Sequence, residues 1–93
     1  MSQRSKHITA LFSELDRARA QSAIVSYVVM PHFDNPNTPL QRVIIELHEK
    51  TAAKTKNELQ EYIARTYRVR ELWLNYSEDM LCVVYDEREQ TLT

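Results

Sequence analysis

The sequence predicts an α+β protein, with two helices on one face of a four-stranded, mainly antiparallel sheet and the element order α-β-β-α-β-β. Three observations carry that prediction. Two stretches space their apolar residues at helical intervals, and four others are rich in β-branched and aromatic residues. Polar, turn-forming segments separate them, the longest holding all three prolines.

Ile8, Leu11, Phe12, Leu15 and Ala18 fall on one side of a helix, with Thr9, Ser13, Asp16 and Arg17 opposite. Residues 6–21 therefore form an amphipathic helix that Ser5 is placed to cap. Residues 23–30, Ala-Ile-Val-Ser-Tyr-Val-Val-Met, read as a well-buried strand. Residues 31–39 contain the prolines and form a loop, because proline cannot donate to a strand ladder. Residues 41–48 alternate Val43, Ile45 and Leu47 against Arg42, Ile44 and Glu46, a second strand. A second helix covers 52–67, capped by Thr51 or by the Thr55…Glu58 box. Leu59, Ile63 and Thr66 form its inner stripe, flanked by Tyr62 and Tyr67. Lys54 with Glu58, and Glu61 with Arg65, stand at ion-pair spacing outside. Residues 69–76 and 80–85 are a hairpin turning through Ser77-Glu78-Asp79.

The two αββ halves read as a structural repeat without residue identity between them. Their order is a circular permutation of the ferredoxin-like βαββαβ arrangement. That analogy concerns topology and says nothing of function.

Ninety-three residues make a single domain, with its core in 5–87 and polar, frayed ends at 1–4 and 88–93. A chain this short buries one modest core, so a subunit partner would add to its stability. The net charge of −1 supplies no field to attract nucleic acid or an anionic membrane. Charge is nevertheless uneven: residues 42–70 carry seven basic and four acidic groups, and residues 71–93 one basic and six acidic. Two such regions can complement each other within a chain or between copies. Cys82 is the only cysteine, which excludes an internal disulfide and a multi-thiolate zinc site. With no apolar run of membrane-spanning length, the expected location is the reducing cytoplasm, away from membranes.

There is no glycine. Phosphate-cradling loops, dinucleotide-binding fingerprints and the glycine-flanked nucleophile elbow are therefore absent. Backbone positions with positive φ must fall to other residues, with Asn35, Asn37, Asn75 and Asp79 the candidates.

Four surfaces are candidate sites. If Val25, Tyr27, Val29, Val43, Ile45 and Leu47 face the helices, the opposite sheet face shows Ile24, Val28 and Ile44, joined by Trp73 from the second hairpin. That is more apolar surface than a solvated face carries, so it is expected to dimerise through the sheet face or an edge strand, or to lie under loop 31–40 or a terminus. His32, Phe33 and Asp34 in that loop are a candidate tip for a protein partner. Lys54, Arg65 and Arg68 cluster on the second helix and could contact nucleic acid, although Glu58 and Glu61 stand among them. Glu46 and His48 share a strand face but lack a third metal ligand. Cys82, in an apolar strand, reads as an inert core thiol. No nucleophile, base and orienting group can be assembled, so no catalytic residue, cofactor or metal is assigned. The expected function is a non-enzymatic protein-interaction or regulatory module acting as a homodimer, with nucleic-acid binding through the second helix as the alternative.

Overall fold

A computed structural model describes residues 6–32, 37–67, 69–75 and 77–89. Ser5, Phe33, Asp34, Asn35, Arg68 and Tyr76 lie outside these, as does the side chain of Ile8. Helix α1 runs Lys6–Ala20, strands β1 and β2 Ser26–Pro31 and Leu40–Glu46, helix α2 Ala53–Thr66, and strands β3 and β4 Glu71–Asn75 and Met80–Asp86. A 3-10 turn over Glu87–Glu89 follows. The strands line up in the order β1-β2-β4-β3, every neighbouring pair antiparallel. This is the α-β-β-α-β-β architecture that the pattern of apolar residues predicts.

Alternation along the strands sends one set of side chains toward the helices. Val43, Ile45, Leu81 and Val83 are wholly buried there, and Leu11, Leu15, Ile63 and Tyr67 meet them from the helices. Each such aliphatic side chain contributes roughly 1.5–3 kcal/mol by leaving water. Phe12 stacks on Tyr27 at 6.1 Å between centroids and meets Tyr85 edge-on at 6.2 Å, which seats α1 over β1, β2 and β4. The Tyr27 hydroxyl donates to Asp16 at 2.6 Å, and Tyr62 of α2 donates to Glu14 of α1 at 2.8 Å. β4 lies between β2 and β3, and Leu81 through Asp86 are all buried.

Pro31, expected to open the loop, instead closes β1 opposite Gln41, and the structure departs from the expected elements in four further places, each with a local cause. β1 begins at Ser26, later than expected, because the chain leaves α1 through a tight turn. Ala23 N–H donates to the Ala18 carbonyl at 2.8 Å and Ser22 N–H to that of Arg19 at 3.0 Å, with Ser22 at φ 62°. That is a Schellman closure, whose left-handed position usually goes to glycine. Here serine occupies it, at a steric cost of about 1 kcal/mol. Among the described residues, Asp79, at φ 54°, is the other left-handed residue.

The later start of β1 also corrects the expected face of Ile24. It stands ahead of the strand, so the period of two does not reach it, and it is only 4% exposed among the core residues. Its neighbour Val25 is left exposed in its place.

α2 begins without the expected threonine cap: Ala52 is at the N-cap position and no side chain caps the helix. Its inner stripe is also shifted. Thr66 is exposed, whereas Lys56 is buried alongside Ile63.

The fourth departure is at the chain's polar end. Asp86 belongs to β4, and its side chain is 1% exposed. Arg88 closes over it, donating from its backbone N–H at 2.8 Å, from Nε at 3.1 Å and from a terminal nitrogen at 2.8 Å. Arg70 adds a contact at 3.3 Å. Side-chain donation by Arg88, helped by its backbone N–H and by the charge of Arg70, holds the carboxyl at about 2 against an ordinary 3.8, although burial opposes this. A depressed carboxylate stabilises the fold fully above its unfolded value, and that contribution is lost as pH falls through the folded one. Because both arginines are largely solvated, the contribution is about 1–2 kcal/mol. The stability gap between wild type and Asp86→Asn should therefore close between pH 4 and pH 2. A gap that stays constant over that window would show that Arg88 does not select the ionised form.

Candidate interaction surface

On the sheet face away from the helices, the register sets Val28 opposite Ile44, Ile44 opposite Cys82 and Cys82 opposite Trp73. Three of the four expected interface residues thus stand in one row that crosses all four strands. The fourth, Ile24, is in the core and is not part of this surface. A row of Met30, Arg42, Val84 and Glu71 flanks the central one on one side, and a row of Ser26, Glu46, Met80 and Asn75 on the other. The face is apolar along its middle, with Arg42 toward one end of β2 and Glu46 toward the other.

Exposure along the central row is greatest at its ends. Val28 on β1 is 50% exposed and Trp73 on β3 is 38% exposed, whereas Ile44 is half-buried and Cys82 buried. Burial pushes the Cys82 thiol up, which keeps it protonated and unreactive near neutrality.

The end of the face at Arg42 and Val84 is covered. Val84 points away from the helices and is nevertheless wholly buried. His32, just past β1, is buried too, and its Nε2 lies 3.7 Å from a carboxylate oxygen of Glu71. Since β1 and β3 are opposite edges of the sheet, that approach lays the His32 side chain over this end of the face. His32 is therefore part of the packed structure, while Phe33 and Asp34 of the expected recognition tip are outside the described residues.

β1 is bare in a second way. Val29 alternates with Val28 and faces the helix side, yet it is 41% exposed, and Val25 just ahead of the strand is 40% exposed. Alternation alone would place both against the helices. Val29 is left out because it stands on an edge strand, and Val25 because it precedes the strand.

The basic residues of α2 do not gather. Lys54 is in the first turn and Arg65 in the last, both exposed, with the exposed Glu58 and Glu61 between them. The expected pairs of Lys54 with Glu58 and Glu61 with Arg65 are not among the described ion pairs. Arg68 lies outside the described residues.

A groove of about 680 Å³ opens where β2 ends beside the β3–β4 turn, and Glu46, His48, Glu49, Lys50, Glu78 and Asp79 line it. The expected pair Glu46 and His48 is brought together there. Among the described residues, no group of three or more His, Cys, Asp or Glu side chains is placed to hold a metal ion. Asp79 is occupied by Lys56, whose ammonium donates to it at 2.5 Å. On the other side of the molecule, burial and the nearby Glu14 carboxylate push the Tyr67 hydroxyl well above the ordinary phenol range. Near neutrality it is held in the neutral phenol form.

The Lys56–Asp79 pair, the arginine clasp on Asp86 and the identity of β1 as an edge strand were not read from the sequence. For Lys56 a signal existed: it stands two helical turns before Ile63, on the same face. Among the described residues, no helix is long and apolar enough to cross a membrane. Comparison with protein-family models, with curated proteins and with solved structures finds no match to this chain.

Proposed function

We propose that this protein is a small interaction or regulatory module, without catalytic activity of its own, that works as a homodimer in a reducing compartment. One observation supports the reading above all. Among the described residues, the exposed large apolar side chains are Val25, Val28, Val29 and Trp73, and all stand on or beside the two edge strands of one open sheet. Isolated exposed apolar residues are ordinary, but their concentration on sheet edges is a feature of chains that pair with another strand. The neutral Tyr67, the buried Cys82 and the Lys56-paired Asp79 favour binding over chemistry.

Sedimentation tests the reading. At micromolar concentration the mass should approach twice 11.0 kDa and fall on dilution. A chain that remains at the monomer mass, well folded, at high concentration would overturn it.

A further inference from the structure

The two edges of the sheet are defended differently. β3 is short, opens on Glu71 and follows Arg70, and charged residues at an edge discourage a foreign strand. β1 carries no such charge and has only Pro31 at its end. From Ala20 to Pro31 the sequence carries no charged residue, although 27% of the chain is charged. Val28 and Val29 point to opposite faces, and both are at least two-fifths exposed. An uncovered face would expose one of them. An unpaired edge exposes both.

We propose that β1 pairs antiparallel with β1 of a second copy, joining two sheets into one of eight strands. The proposal rests on the self-association reading above and adds its geometry. A two-fold axis normal to the sheet makes the new strand pair antiparallel and keeps both pairs of helices on one side. Centred on Val28, it continues the row of Trp73, Cys82, Ile44 and Val28 directly into the same row of the second copy.

Charge favours a second copy in this orientation. The Ser26 end of β1 lies beside Glu46, and the groove at that end adds Glu49 and Glu78. The Met30 end lies beside Arg42, while Arg70 and Arg88 farther along are taken up by Asp86. Antiparallel pairing sets the Glu46 end of each copy beside the Arg42 end of the other, and the uncharged strand puts no like charges opposite one another. Stacking two sheets face to face is less favourable, because His32 and the covered Val84 close one end of that face.

Val29→Lys and Trp73→Lys separate the geometries, since Val29 is on the helix side of β1 and Trp73 on the open face of β3. With β1 pairing, Val29→Lys sediments at 11.0 kDa and Trp73→Lys stays near twice that mass. Both should show the circular dichroism of a folded chain. A dimeric Val29→Lys overturns the proposal while leaving self-association standing, and a monomeric Trp73→Lys beside it would identify face-to-face docking. A monomeric wild type overturns both readings and leaves the edge to a strand of another protein. Hydrogen exchange on the wild type tests the pairing without substitution. β1 amides should exchange about tenfold faster on dilution below the dimer range, and a rate that does not change with concentration would defeat the proposal.

Discussion

Asp79→Ala is expected to destabilise the fold by about 3 kcal/mol, although Asp79 is in a surface turn. The reason is Lys56. Its side chain is 8% exposed and that of Asp79 25% exposed, so removing the aspartate strands an ammonium that water reaches poorly. Removing the lysine leaves a carboxylate that can rehydrate. Lys56→Met fills the same space without charge and should cost about 1 kcal/mol. In the double variant the penalty of Asp79→Ala should shrink, because no buried charge is left behind. Alanine also fits the left-handed conformation of residue 79 less well than aspartate does. Asp79→Asn is the control, since asparagine tolerates that conformation and can still accept from Lys56. Urea unfolding measures all four; a midpoint for Asp79→Ala within error of wild type would mean that Lys56 swings out to solvent.

Ile63→Ala should cost about as much, roughly 3 kcal/mol, and should act locally. The two buried residues of α2 are Lys56 and Ile63, seven positions and about two turns apart on one face. A helix of 14 residues is marginal in water, so α2 depends on these two attachments. Loss of Ile63 leaves the polar attachment near one end and weakens the apolar one. Amide exchange should therefore quicken across Ala53–Thr66 more than across β2 and β4. Equal acceleration in sheet and helix would show that α2 does not open on its own.

The strands and helices could be read from the sequence because burial on one side of each leaves a period. Val43 and Ile45, or Leu11 and Leu15, declare their faces by spacing alone. Where the period breaks, spacing misleads. Ile24 sits in a turn, where alternation has no meaning, and Ser22 holds a left-handed position that composition reserves for asparagine or aspartate. Lys56 has the residue type of a solvated charge but the position of a core residue, and its partner is 23 residues away in another turn. Asp86 falls just past the strand expected to end at residue 85 for the same reason: Arg70, one member of its clasp, is 16 residues away. The surface was half visible. Val28, Ile44 and Trp73 followed from alternation, but the order β1-β2-β4-β3, which makes β1 an edge, depends on long-range pairing that no local pattern records.

That order has a consequence for synthesis. β4 joins the two halves of the sheet, yet it is last of the four strands in the chain. While the polypeptide is emerging from a ribosome, α1, the β1–β2 hairpin, α2 and β3 are all translated before anything can bridge β2 to β3. A two-stranded hairpin is marginal by itself, so through that interval β1 and β2 offer bare edges on both sides. Neighbouring ribosomes on one message hold identical hairpins at nearly the same stage. On the pairing proposed above, the free edge of β1 is on offer to a second copy from that stage onward, before β4 has closed the sheet.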